Sequence, residues 1–94
     1  MVEQVSATHW RSWAETNRAQ ILDVREPDEW ATGTLPDAIG ISLGTVPHRI
    51  DGLDKSKPIL VVCRSGARSG QAAEFLVRAG FRQVANLAGG IQSL

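Results

Sequence analysis

The feature that most constrains the fold is a short apolar run that ends at the only cysteine of the chain. Residues 59–62 read Ile-Leu-Val-Val and directly precede Cys63, and such a run is typical of a parallel strand that is buried on both faces. Gly66 then permits a tight backbone turn. From about Ser69 apolar residues recur at helical spacing until Gly80. Cys63 is therefore predicted to lie at the carboxyl edge of a parallel sheet, where α/β proteins bind ligands.

The loop after Cys63 has the chemistry of an anion site. Backbone N–H groups of residues 64–69 are expected to form an anion-binding nest around the sulfur, and the following helix start adds partial positive charge. Arg64 and Arg68 add two permanent charges. All three effects favour the thiolate, which is the nucleophilic form of cysteine. The alternative is that Cys63 is an inert, buried core residue. Composition alone favours that alternative, whereas the doubly basic loop favours a function.

The sequence Cys63-Arg64-Ser65-Gly66-Ala67-Arg68 resembles the six-residue active-site loop of the rhodanese-like sulfurtransferases. Cysteine phosphatases of related design place an arginine six positions after the cysteine, and Ser69 fills that position here. A shorter loop encloses a smaller anion site, which suits one transferred sulfur atom better than a phosphate. The resemblance implies that Cys63 is the catalytic residue. It also implies a substrate-binding loop composed of Arg64, Ser65, Gly66, Ala67, Arg68 and Ser69.

Two further segments resemble the same family. The run at 22–26, Leu-Asp-Val-Arg-Glu, is followed by an aromatic residue at 30 and a glycine at 33. In the family, residues in the positions of Asp23 and Arg25 support the site as structural partners. The Ala-Gly-Gly-Ile stretch at 88–91 resembles the family's double-glycine turn, so Gly89 and Gly90 are also expected to support the site.

The match is weaker over residues 33–38, where the family pattern is Gly-His-Ile-Pro-Gly-Ala. Thr34 stands in place of the histidine, and Asp37 stands in place of the second glycine. Asp37 therefore needs a turn conformation that aspartate tolerates less well than glycine.

The order of strand and helix patterns predicts an α/β fold with right-handed crossovers. Strands are predicted over 2–5, 20–24, 38–43, 59–62 and 82–87. Helices are predicted from an N-cap at Ser6 to Glu15, from Pro27 to Gly33, as a short helix within 44–52, and from about Ser69 to Gly80. Together they indicate a rhodanese-like central parallel sheet of about five short strands flanked by helices. Residues 1–94 are expected to form one such domain without the last helix usual in the family.

Composition limits the kinds of partner. Ten basic and ten acidic residues give a formal net charge of zero, so neither nucleic acid nor a membrane is expected as a partner. One cysteine permits no internal disulfide, and the N-terminus has no secretory pattern. A cytoplasmic protein, or a domain of a larger one, is therefore expected. His9 is interpreted as a surface or packing residue, and Arg49 as a solvated helix residue or a contributor to the pocket rim.

The leading hypothesis is a sulfurtransferase that uses a Cys63 persulfide and needs neither a metal nor an organic cofactor. Its expected partners are a small anionic sulfur donor such as thiosulfate, and cyanide, a thiol or a protein as acceptor. The second hypothesis is a sulfur-carrier or partner-docking module with little thiosulfate activity. The third is a cysteine phosphatase or arsenate reductase, against which the loop length argues. The sequence leaves the physiological donor and the oligomeric state open.

Overall fold

Five parallel strands form one sheet in a computed structural model that describes all 94 residues. The strands are β1 (Val2–Val5), β2 (Gln20–Asp23), β3 (Ile39–Gly40), β4 (Ile59–Val62) and β5 (Val84–Leu87). Their spatial order is β1-β5-β4-β2-β3, and every neighbouring pair is parallel. The predicted parallel α/β sheet is confirmed, and β4, the strand that leads to Cys63, lies at its centre.

Four helices and three short 3₁₀ turns connect the strands. The helices are α1 (Trp10–Asn17), α2 (Pro27–Trp30), α3 (Val46–Arg49) and α4 (Ala67–Arg78), and the turns cover Leu43–Thr45, Ile50–Gly52 and Ile91–Ser93. None of the helices has the length and apolar character needed to cross a membrane.

The core has two parts, one on each face of the sheet, and alternation along β4 divides its side chains between them. Ile59 and Val61 belong to the same cluster as Cys63 and the inner side of α4. Leu60 and Val62 belong to the other cluster, together with Trp10 of α1. This period of two follows from the pleat of a strand. It directs the Cys63 side chain toward the face that α4 covers.

The first helix begins later than predicted. Ser6 is not its N-cap: residues 7–9 form a turn, and His9 holds the cap position. The Ser6 carbonyl accepts hydrogen bonds from the backbone N–H groups of His9 and Trp10, each at 3.0 Å. The Ser6 hydroxyl contacts His9 Nδ1 at 2.8 Å instead of capping the helix. The exposed His9 is thus a local surface partner of Ser6.

The third strand is shorter than the predicted 38–43. Only Ile39 and Gly40 have register partners in β2. The N–H groups of Ile41 and Leu43 still donate to the Asp23 and Val24 carbonyls, at 3.0 and 3.1 Å, and the chain enters a 3₁₀ turn at Leu43. A Cβ on Gly40 would lie 2.9 Å from the Trp30 indole ring, so α2 packs directly on this strand. The preceding turn holds Asp37 at φ 61°, as its place in the glycine position of the family pattern predicts.

Candidate active site

The Cys63 loop joins the end of β4 to the start of α4. Gly66 makes the junction at φ 100°, a left-handed conformation that favours glycine. Its carbonyl then accepts a hydrogen bond from Gly70 N–H at 3.0 Å. Helix α4 consequently begins at Ala67, two residues before the predicted start near Ser69. This early start brings Ser69 into the first turn of the helix, close to the sulfur.

Hydrogen-bond donors converge on the Cys63 sulfur. Gly66 N–H donates to Sγ at 3.1 Å, and the Ser69 hydroxyl lies 3.3 Å from it. Burial is the largest single influence on the thiol and opposes its ionisation. The hydrogen bonds from the Ser69 hydroxyl and from the amides of Ser69, Gly66 and Ser65 together outweigh it, and they lower the pKa of Cys63. The geometry favours a thiolate, and the loop amides are placed to hold a negative charge on sulfur.

Cys63 has no exposed surface, with a relative exposure of 0%. A cleft of about 410 Å³ lies beside the loop, and its lining includes Arg64, Glu29 and Gln92 but not Cys63. The Cys63 sulfur therefore does not open directly into this cleft.

The two loop arginines have different surroundings. Arg64 is exposed and lines the cleft. Arg68 donates to both carboxylate oxygens of Glu29 in α2, at 2.6 and 2.9 Å. This contact raises the pKa of Arg68 and lowers the pKa of Glu29 to about 2. Only Arg64 is therefore free of an acidic partner, although the sequence suggested that both arginines are available to an anion.

The remaining loop residues act mainly through the backbone. Ser65 and Ala67 are exposed, and the Ser65 amide favours the ionised sulfur. Ser69 is fully buried, so its hydroxyl faces the sulfur from inside the fold. Arg49, a candidate for the pocket rim, is exposed at the end of α3 and does not line the cleft.

The double-glycine turn packs against the base of the loop. Ile91 N–H donates to the Cys63 carbonyl at 2.8 Å, and Gln92 N–H donates to the Arg64 carbonyl at 3.0 Å. A Cβ on Gly90 would lie 2.2 Å from the Arg64 carbonyl oxygen. Gly90 and the adjacent Gly89 adopt φ 69° and φ 80°. Glycine is required at 90 because the two backbones are in contact there.

Asp23 and Arg25 form a buried pair at the end of β2. The Arg25 guanidinium donates to Asp23 Oδ2 at 2.8 Å and to the Gly33 carbonyl at 2.6 Å. Arg25 N–H also donates to Asp23 Oδ1 at 3.0 Å. The pair ties the end of β2 to the turn after α2, and neither residue contacts the sulfur by hydrogen bonding.

Two site residues were not identified from the sequence. Glu29 occupies the first turn of α2, where an acid is expected from the helix dipole alone, so nothing local indicated its contact with Arg68. Asn86 lies in β5 and interrupts an otherwise apolar strand, and it accepts a hydrogen bond from Ser69. A buried amide in such a strand needs a polar partner, so the position of Asn86 in an apolar strand could have indicated a polar contact.

Comparisons with known proteins point to one protein family. The family model for the rhodanese-like domain matches residues 6–94. A sulfurtransferase from Allochromatium vinosum is 40% identical over 78 residues, which cover 83% of this chain and 73% of that protein. The thiosulfate sulfurtransferase GlpE of Coxiella burnetii is 32% identical over 95 residues, covering 99% of this chain and 87% of the relative.

Solved structures show the same fold. A rhodanese-like domain protein from Staphylococcus aureus superposes with a TM-score of 0.88 at 28% identity, and the match covers 98% of this chain and 90% of that one.

Proposed function

Since this chain belongs to the rhodanese-like domain family, a family with sulfurtransferases among its members, we propose that it transfers a sulfane sulfur atom through a persulfide on Cys63. The observation that carries the proposal is the set of donors around Sγ: Gly66 N–H at 3.1 Å and the Ser69 hydroxyl at 3.3 Å. These donors stabilise a thiolate before the reaction and an anionic persulfide after it.

In the first half-reaction the Cys63 thiolate attacks the outer sulfur of thiosulfate. A new S–S bond forms to Sγ, the S–S bond of thiosulfate breaks, and its electron pair leaves with sulfite. In the second half-reaction a thiophile such as cyanide attacks the outer sulfur of the persulfide. Thiocyanate forms and the Cys63 thiolate returns. No net proton transfer is required, and the two steps predict ping-pong kinetics.

Thiosulfate is proposed as donor because the loop presents cationic charge to a small dianion. Arg64 is exposed beside the cleft, and Arg68 becomes a second contact if the donor displaces Glu29. Guanidinium groups suit such an anion because they donate several hydrogen bonds in one plane. Residues 64–69 form the proposed donor-binding loop, and the reducing cytoplasm is the proposed setting.

A second function, that of a sulfur carrier served by a partner protein, is favoured by two observations. The Cys63 sulfur has no exposed surface, and Arg68 is already paired with Glu29. Both features hinder a small free anion. A partner that carries a persulfide could instead contact the loop and open it as it binds.

Intact-mass spectrometry tests the proposal. After incubation with thiosulfate, the wild-type protein should gain one sulfur atom, and cyanide should remove that atom. The Cys63→Ser variant should gain none. If the wild type gains no sulfur from thiosulfate but gains one from a protein persulfide, the carrier function replaces the thiosulfate reaction. A gain of sulfur by Cys63→Ser would contradict both functions.

A further inference from the structure

Asn86 is a buried amide in the strand next to β4, and all of its hydrogen-bonding groups are engaged. Asn86 is only 5% exposed. Nδ2 donates to Gln4 Oε1 of β1 at 3.0 Å and to the Gly66 carbonyl at 3.4 Å. Oδ1 accepts a short hydrogen bond from the Ser69 hydroxyl. The Gly66 carbonyl can only accept, so it orients the amide with Nδ2 toward the loop and Oδ1 toward Ser69.

This orientation creates a competition for one proton. The Ser69 hydroxyl carries a single hydrogen, and two acceptors lie within reach of it: Asn86 Oδ1 and Cys63 Sγ at 3.3 Å. The hydroxyl can donate fully to only one of them at a time. Ser69 is completely buried, so its hydroxyl has no contact with bulk solvent that would relieve the competition.

We propose that Asn86 is a positioning residue that controls the Cys63 nucleophile through Ser69, by competing with the sulfur for the Ser69 hydroxyl proton. While the sulfur is a neutral thiol, Ser69 donates to Asn86. When the sulfur carries a negative charge, the charge-assisted contact draws the proton to it. Asn86 therefore holds the Ser69 hydroxyl while the sulfur is neutral and loses it to the sulfur on ionisation, which moderates the acidity of the thiol.

The inference rests on the proposed role of Cys63 as the nucleophile, but the measurement that tests it does not depend on sulfur transfer. Cys63 is the only cysteine in the chain, so ultraviolet absorbance of its thiolate, recorded against pH, reports its ionisation directly. The Cys63→Ser variant supplies the baseline. The other charged groups at this edge of the sheet stay the same in every variant of Asn86: Arg64 in the loop, Arg68 of α4 with Glu29 of α2, and the Asp23–Arg25 pair at the end of β2.

Two substitutions of similar shape should move the pKa of Cys63 in opposite directions. Asn86→Leu removes the competing acceptor and leaves the Ser69 proton to the sulfur, so the pKa should fall by roughly 0.5 to 1 pH unit. Asn86→Asp offers a stronger acceptor and adds negative charge, so the pKa should rise by about 1 pH unit or more. A residue that only supported the loop would raise the pKa in both variants, because the donors around the sulfur would become disordered.

A Ser69→Ala background provides the control. Without the hydroxyl, adding Asn86→Leu should leave the Cys63 pKa unchanged to within about 0.2 pH unit, since nothing connects the two sites. The proposal is overturned if both variants shift the pKa the same way, or if Asn86→Leu has its full effect in the Ser69→Ala background. If circular dichroism shows that Asn86→Leu does not fold, Asn86→Asp decides alone, and an unchanged or lower pKa refutes the proposal. If the two variants shift the Cys63 pKa in opposite directions but the wild type gains no sulfur from any donor, the role of Asn86 stands and only the proposed function is refuted.

Discussion

At the scale of single residues, the Asp23–Arg25 pair is the clearest case of charge removed from water. Asp23 is 0% exposed and Arg25 is 5% exposed, so each ion depends on the other for its stability in the fold. A partner for each charge could be expected from the sequence, because charges at the end of a buried strand need partners.

Breaking this pair should destabilise the protein strongly. We expect Arg25→Met to lower the free energy of unfolding by about 3–5 kcal/mol, because Asp23 would remain buried without its cation. Urea denaturation followed by circular dichroism measures the loss. The double variant Asp23→Leu/Arg25→Met removes both charges and should recover much of it. Equal losses in the single and double variants would show that packing, not charge, is responsible.

The Glu29–Arg68 pair should make stability depend on acid pH. The pKa of Glu29 is about 2 in the fold, below the value of about 4.3 in an unfolded chain. The stabilisation of the fold by ionised Glu29 is therefore fully present above about pH 4.3 and is lost as the pH falls through about 2. The pair is partly exposed, so Glu29→Gln should reduce stability by no more than about 1 kcal/mol at pH 7.

Thermal unfolding of the wild type and of Glu29→Gln, measured from pH 7 to pH 2, tests this pH dependence of stability. The difference in Tm between the wild type and Glu29→Gln should shrink across the acid range. Asp28→Asn on the same helix is the matched control, because the Asp28 side chain forms no hydrogen bond or ion pair. A difference that stays constant down to pH 2 would contradict the assignment.

At the scale of elements, α2 and α4 are connected through this same pair, and the connection should affect donor binding. Glu29→Gln frees Arg68 and removes a negative charge beside the loop. We therefore expect the KM for thiosulfate to fall several-fold with little change in kcat. Steady-state kinetics at constant ionic strength measure the change. An increase in KM would indicate instead that Glu29 holds Arg68 in the orientation that the donor needs.

The double-glycine turn and the Cys63 loop behave as one element, since their backbones touch. Gly90→Ala should cost about 3 kcal/mol or more, because the new methyl group would overlap the Arg64 carbonyl in addition to the strain at positive φ. Gly80→Ala is the matched control. It also has a positive φ, of 101°, but open space around the new Cβ, so it isolates the conformational part of about 1–3 kcal/mol. Equal losses in urea denaturation would mean that the turn can move away from the loop.

The elements that were predicted well are those with a local signal. Neighbouring residues alone are enough to predict the apolar runs of β2 and β4 and the glycine that ends α4. The start of α4 and the extent of β3 could not be fixed, because they depend on the Gly66 reversal and on how the chain turns beyond Gly40. The partners of Glu29 and Asn86 lie 39 and 17 residues away along the chain. Such contacts follow from the packing of the sheet and not from any local pattern.

At the scale of the whole molecule, the formal net charge of zero means that the protein as a whole does not attract an anionic donor from a distance. Attraction of a dianion then comes from Arg64 and its neighbours and not from an overall field. Raising the ionic strength from about 0.02 M to 0.5 M should increase the KM for thiosulfate by a few-fold, because screening lengths fall to a few ångströms. In Arg64→Gln most of this dependence should disappear. An equally steep dependence in that variant would place the responsible charge elsewhere.

A sulfur without exposed surface separates how acidic Cys63 is from how fast it reacts. Hydrogen bonds inside the loop favour the thiolate against the effect of burial, whereas reaction with an external molecule also requires that molecule to reach a buried sulfur. Peroxide and other oxidants must also reach the buried sulfur before they form sulfenic or sulfinic acid at the thiolate. Burial of the Cys63 sulfur should therefore slow its oxidation as well as its reaction with a sulfur donor.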